Sequence, residues 1–498
     1  MKTSRMKRIM ALAAMSVLAP AMAQQYKTEI PQSIVTPHVL ESRLGTLRFT
    51  DGFPDDATVR KVYDNLDFQR GVEAFLTSMP AASLAAMRRG IRGFGPDNQT
   101  VIIFDSLVDS RSLFLTPNAD SIYASAWVDL KNGPVVIESP PNTLGIVNNF
   151  WFGYVADLGN AGPDKGKGGK YVLLPPNYSD EVPRGYTAVK SPTYGNWFIT
   201  RGFQQQGDPK PGADSIRQHL RIYPLAQAGN PPSTNFVSVS GKAFNTIHSM
   251  DFSFYKEVNE VVQEEPTSSA DPETLGLLAA IGMVKGKPFA PDKRMTQILT
   301  ESAAVGSATA RTLAYRSRDP EAYLYANSAW QTPFVGGSHE FLRNGARLLD
   351  ARAFFFFCAI GITPAMALKM PGAGSQYAFA TVDAKGKPLD GAKTYKLHLP
   401  PNIPAKNFWS LVLYDTQTRS MLQTNQRFPS IGSERNGIVA NPDGSVDVYF
   451  GPKAPPGKEA NWVETRREKG WSVILRLYGP EQAFFDKRWK PGEIEEVK

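Results

Sequence analysis

Residues Thr116 to Leu130 read TPNADSIYASAWVDL, and the second half of that stretch decides the fold class. In an extended chain Ala124, Ala126, Val128 and Leu130 share one face, while Tyr123, Ser125, Trp127 and Asp129 share the other. Successive strand side chains point to opposite faces, so this period of two reads as a β-strand with an apolar side and an aromatic-polar side. The turn before it matters as much. Proline fixes one backbone angle in Thr116-Pro117-Asn118-Ala119-Asp120, and Asn and Asp side chains bond nearby backbone amides, so a structural turn accounts for the residues. The functional alternative is a cleft-facing Asp120 acting as general base, with the Asn118 amide orienting a substrate.

Further short runs follow outward from this strand: PVVIESPP, NNFWFGYVADLG, KYVLLPPNY and NWFITRGF, each closed by Gly, Pro or Asn. Strand-like runs between spread glycines and prolines are the pattern of a sandwich or barrel. A first β domain is therefore expected over 113–235. An arm and helices over 24–112 precede it, with Val59, Val62, Tyr63 and Leu66 at helical spacing between Ala57 and Ile91. From 236 to 370 the chain is rich in Ala, Leu, Glu and Arg and reads as helices. One of these is expected to start near Ser338 and run through EFLRNGARLLDARAFFFFCAIG to a stop at Gly361, with Phe354 to Phe357 buried on several sides. Over 371–498, YKLHLP, FWSLVLYD, SVDVYF and WSVILRLYG give a second β domain. There His398 falls opposite Tyr395, Leu397 and Leu399, and Arg476 points the same way as Tyr478.

The first 23 residues join a basic head (Lys2, Arg5, Lys7, Arg8), a short apolar body and Ala21-Met22-Ala23. That pattern reads as a secretory signal peptide cleaved after Ala23, and it points to a periplasmic or secreted protein. Four of the eight net positive charges lie in it. The remainder carries a mild +4 with no dense Lys/Arg stripe, which argues against nucleic acid. No later run is apolar enough for a membrane span. Cys358 is the single cysteine, so no intrachain disulfide can form, and its apolar setting reads as inert core.

Chemistry-bearing motifs are sparse. ADLGNAGPDKGKGGKY brings Asp157, Asp164, Lys165, Lys167 and Lys170 together among glycines, without the spacing of a phosphate-binding loop. A solvated hairpin explains it; if ordered, it offers Asp157 as partner to Asp120 in a carboxylate pair and Lys165 beside them. The five histidines form no metal-ligand spacing, and no G-x-S-x-G or G-x-G-x-x-G stands in the right context, so no metal or cofactor is expected. Aromatic side chains such as Tyr123, Trp151 and Trp462 can stack on a flat or sugar ligand, although sandwich core explains most of them. Arg201, Arg352 and Arg476 sit beside apolar runs, where each reads first as a structural cation, Arg201 being the one retained as a substrate contact.

The motifs TPNADSIYASAWVDL, GPDKGKGGKYVLLPPNY and SPTYGNWFITRGF, with GSQYAFATVD, KTYKLHLPPNIPAKNFWSLVLYD, FGPKAPPGKEANWVET and KGWSVILRLYGP, resemble a bacterial two-domain family of unknown function. Its halves are named DUF1254, on the N-terminal side, and DUF1214, on the C-terminal side. The resemblance implies a mainly β protein with a helical middle: two antiparallel, jelly-roll-like β-sandwich domains joined by a helical segment. It implies no reaction. Two main readings of function follow from the residues, beside a fainter one of a metal-dependent enzyme with mainly carboxylate ligands. One is a hydrolase or lyase working on a glycan, amide or polar-aromatic compound through Asp120, Asp157 and Lys165, with Asn118, Tyr123, Trp151, Arg201 and Trp462 as substrate contacts. The other is a non-catalytic protein of the cell envelope that binds a small-molecule or glycan ligand or assembles as a homo-oligomer.

Overall fold

The computed structural model describes residues 28–434 and 437–497, so the leader-like segment 1–23 lies outside the described residues. The chain divides into two compact units, one ending at Asn65 and the other running from Leu66 to Lys498. The first holds a small antiparallel sheet of Val39–Ser42, Gly45–Thr50 and Phe53–Pro54. A long helix, Asp56–Arg92, begins there and continues into the second unit, close to the span its apolar spacing predicts.

The second unit is built from two β-sandwiches and a set of helices. In the first sandwich a six-stranded sheet runs in the order Asn235–Ser238, Thr100–Phe104, Ser121–Asp129, Gly195–Phe203, Leu144–Asn149, Tyr154–Gly159. It packs on a four-stranded sheet of Thr187–Lys190, Gly169–Leu174, Val135–Ser139 and Arg221–Pro224. The core between them takes Ala124, Ala126 and Val128 from one side and Val135, Ile137 and Leu173 from the other. In the second sandwich, Ser375–Ala380, Trp471–Pro480, Ala405–Asp415 and Ser430–Gly432 pack on Trp462–Glu464, Val446–Gly451, Tyr395–Leu399 and Ile494–Glu496. Pairing is antiparallel in the body of each sheet and parallel at some edges, as where Asn235–Ser238 joins Thr100–Phe104.

Both sandwiches are covered on a second face as well. The aromatic side of Ser121–Asp129 (Tyr123, Trp127), with Trp197 and Ile199, shares a core with Phe379, Val412, Tyr414 and Ile474 from the second sandwich. Helices Ser253–Glu264, Lys293–Tyr315 and Leu349–Cys358 close the same core. That arrangement explains why every residue from Ser121 to Val128 is buried: the alternation separates one apolar core from another, where the usual half-exposed strand would separate core from water.

One helix differs from expectation. Leu349–Cys358 is helical, but the residues before it form a small hairpin of Leu342–Arg343 and Ala346–Arg347. Asn344 and Gly345 connect the two strands, with φ of 50° and 79°. An Asn-Gly pair with both residues in the left-handed region is the preferred two-residue hairpin turn, and it overrides the helical pattern read across it. Phe354 to Phe357 are all buried as predicted and reach different neighbours: Phe379, Phe334 with Phe341, Phe152, and Tyr315 respectively.

Candidate functional site

The Thr116–Asp120 turn is where the two sandwiches meet. Asn118 is 2% exposed, and its Oδ1 accepts from the Asp120 and Ser121 N–H groups at 3.0 and 3.1 Å and from the Ser121 hydroxyl at 2.9 Å. Asn118 therefore closes the turn as an Asx cap. Side chains of the C-terminal sandwich reach into the turn. Ser410 donates to the Asp120 carboxylate at 2.6 Å, Tyr414 to the Pro117 carbonyl at 2.6 Å, and Arg476 to the Thr116 carbonyl at 2.7 Å. Thr116 itself holds φ of 38°, unusual for a β-branched residue. Its N–H donates to the Arg419 carbonyl and its hydroxyl to that of Cys358, both at 2.9 Å. Replacing Asn118 with Ala orphans buried donors and is expected to cost about 1–3 kcal/mol. Urea denaturation checks this; a change within about 0.5 kcal/mol would show the cap to be dispensable.

Beside this turn lies a cavity of about 90 Å3. A buried water takes roughly 10–15 Å3 on this measure, so the space holds about six to nine water-sized groups. Its wall is mostly apolar, with Phe114, Ile146, Trp197, Ile199, Phe354, Phe379 and Ile474. Polar side chains join them: Thr116, Asn118, Tyr123 and Arg201 from the first sandwich, Tyr377 and Arg476 from the second. Strand register explains the grouping. Tyr123 lies opposite Arg201 and Tyr377 opposite Arg476, and directly opposed residues on paired strands share a face. Arg201 and Tyr377 are only partly buried, their remaining surface being cavity wall.

The charges here are unusual for an interior. Arg476 is 3% exposed and donates to the Tyr414 phenol at 2.6 Å, with its guanidinium 5.1 Å from the Tyr377 ring centre. Neither Arg476 nor Arg201 forms an ion pair with a carboxylate among the described residues. Burial pushes the Tyr123 and Tyr478 phenols up. Tyr377 moves the other way: burial pushes it up, but Arg201, Arg476 and the Ser375 hydroxyl together bring it below its ordinary value.

The remaining candidates from the sequence lie elsewhere. Asp157 stands opposite Ile146 on the edge strand, and burial pushes its carboxyl up to about 6 against hydrogen bonds with Thr363 and Tyr154. Lys165 is exposed in the hairpin loop, which Asp164 organises by accepting from the Gly159 and Gly168 N–H groups. Trp151 donates to the Ser269 hydroxyl at 3.0 Å and lines a separate open groove of about 850 Å3 with Tyr154, Asp271, His339 and Arg352. Trp462 donates to the Gly451 carbonyl within the second sandwich. Asp120, Asp157 and Lys165 are not among the residues that line the cavity. Tyr377 and Arg476 are, and sequence reasoning left both out of the site. A signal for Arg476 existed: it is the one charged residue in the run WSVILRLYG, on the face it shares with Tyr478.

Among the described residues no cluster of His, Cys, Asp and Glu side chains could hold a metal ion, and no helix is long and apolar enough to cross a membrane. No curated protein matches the chain. The crystal structure of a protein from Vibrio parahaemolyticus is similar in fold, with a TM-score of 0.54 at 19% identity over 87% of this chain and 100% of that one. An uncharacterized protein from Burkholderia cenocepacia matches at a TM-score of 0.39 and 14% identity, over 88% of this chain and 96% of the other. Residues 98–224 match the family model described as protein of unknown function DUF1254, and residues 374–482 the one described as protein of unknown function DUF1214, so the chain carries a DUF1254 region followed by a DUF1214 region.

Proposed function

We propose that this chain binds a small amphipathic carboxylate in the cavity between its two sandwiches. The observation that supports this reading is the convergence of Arg201 and Arg476 on one apolar space without a paired carboxylate among the described residues. Buried guanidinium groups are normally paired, because removing an ion from water costs several kcal/mol. A ligand carboxylate would supply the missing charge and accept in the paired geometry that guanidinium favours. The aromatic and aliphatic wall would take a body of roughly three to six further atoms, from the room for about six to nine groups less the three of the carboxylate. The leader-like pattern of residues 1–23 is the reason to place this binding in the periplasm or outside the cell.

A hydrolase or lyase using carboxylates is the weaker reading of the same space. That reading rests on Asp120 and Asp157, and neither carboxylate is in the cavity wall. Among the described residues lining the cavity there is no Asp, Glu or His.

Hexanoate and benzoate are of suitable size for calorimetric titration against the full protein. Both are expected to bind, with hexanol and benzyl alcohol at least tenfold weaker. Arg201→Met should lower carboxylate affinity by about 10- to 100-fold, since hydrogen bonds to a charged group contribute about 1.5–3 kcal/mol. Equal affinity for acid and alcohol, or no effect of Arg201→Met, would remove the reading.

A further inference from the structure

Two guanidinium groups in the wall of one cavity call for a counter-charge before a ligand arrives. Tyr377 is the side chain placed to do so. The Ser375 hydroxyl donates to its phenol oxygen at 3.1 Å, and the Arg201 side chain, which lines the same cavity from the opposite sandwich, bears on it with its positive charge. Arg476, directly across the strand pair, stacks on its ring. A phenol that receives a hydroxyl donor and faces two cations is arranged to carry negative charge.

We propose that Tyr377 serves as the resident counter-ion of the Arg201–Arg476 pair, ionising when the cavity is empty and taking up a proton when a ligand carboxylate replaces it. The exchange balances as one carboxylate, one phenolate and one proton giving a bound carboxylate and a neutral phenol. This rests on the carboxylate-binding reading above and adds its regulation: affinity should fall as pH rises, because the phenolate then competes for the same guanidinium groups.

The groups facing Tyr377 are consistent with this role. Arg201 and Arg476 favour the phenolate, as does Ser375 on its own strand. Tyr123 and Tyr478 also face the cluster, and burial keeps both phenols neutral by raising them. The Asp120 carboxylate, held by Ser410, bears on Tyr478 and Tyr414, and burial followed by Asp120 pushes Glu434 beyond it up to about 7.

Tyrosinate absorbance tests the first half without any ligand. In the wild type one tyrosine should ionise before the others, and Tyr377→Phe should remove that step while leaving the fold intact. Ser375→Ala, which deletes one donor, should move the step to higher pH. The second half needs hexanoate. At saturation it should shift the early tyrosine upward, and its dissociation constant should rise about tenfold per pH unit above the empty-cavity midpoint, as one linked proton requires. In Tyr377→Phe the affinity should be flat over that range. Hexanoate binding with no pH dependence, or an early step that survives Tyr377→Phe, overturns this inference alone. Failure of hexanoate and benzoate to bind at any pH overturns the carboxylate reading and the exchange with it, even where the early tyrosine is present.

Discussion

Arg476→Met is expected to lower the folding stability of the chain by about 3–5 kcal/mol, the range for removing one partner from a buried charged network. The side chain is almost fully buried and does two jobs at once. Its guanidinium donates to the Thr116 carbonyl at 2.7 Å and to the Tyr414 hydroxyl at 2.6 Å, so it joins the first sandwich to the second through the turn that carries Asn118 and Asp120. Methionine keeps the apolar stem and loses every donor. The buried Thr116 carbonyl then loses this donor at about 1–3 kcal/mol, and the Tyr414 hydroxyl, which still donates to Pro117, loses a charge-assisted bond of about 1.5–3 kcal/mol. Relief from holding a desolvated cation works in the opposite direction, and for that reason the sum stays below the simple total. Arg201→Met should cost much less stability, because Arg201 presents surface to the cavity and, among the described residues, does not bond to a backbone carbonyl as Arg476 does. Guanidinium denaturation of both variants measures the contrast, and a loss under about 1 kcal/mol for Arg476→Met would show that the joint holds without it.

The difference between these two arginines also shows what could be read from the chain. Alternation in YASAWVDL identified the strand and both of its faces, since the pleat forces successive side chains apart whatever surrounds them. It did not say that Tyr123 and Trp127 face a second core, because a period of two looks the same against water and against another sheet. The long helix over 56–92 was legible from its spacing. The hairpin over 342–347 was not, because apolar spacing was followed across Asn344-Gly345 when the turn chemistry should have ended the pattern. The site was legible in pieces. Tyr123 and Arg201 were picked out from the N-terminal half, but their partners Tyr377 and Arg476 lie on strands that begin well over a hundred residues later, and no local pattern announces such a pairing. Lone charges inside apolar strands were the usable clue, and the expectation that they are structural turned attention from them.

Glu265 carries the other large expected effect, in the dependence of stability on pH. It is 2% exposed and accepts from the Tyr194 and Gly195 N–H groups at 2.6 and 2.8 Å, fixing the turn that leads into Gly195–Phe203. Burial pushes its carboxyl up to about 7 from an ordinary 4.5, against those two donors. Its neighbour Glu264 behaves oppositely: burial raises it, but Arg88 and Lys131 outweigh that and hold it low. For Glu265 the folded chain keeps a proton that the unfolded chain has already released. Its contribution is therefore fully present below about pH 4.5 and is lost as pH rises through about 7. From 4.5 to about 7, at about 1.36 kcal/mol per pH unit, the loss amounts to roughly 3 kcal/mol. Glu265→Gln imitates the protonated acid and cannot titrate. The stability of wild type minus that of the variant, from denaturant unfolding across this window, should thus fall by about 3 kcal/mol as pH rises. Asp157 and Glu434, also raised by burial, titrate in both proteins and cancel in the difference. A difference that stays level from pH 4.5 to 8 would mean that the two N–H donors keep Glu265 ionised throughout, with burial the lesser force.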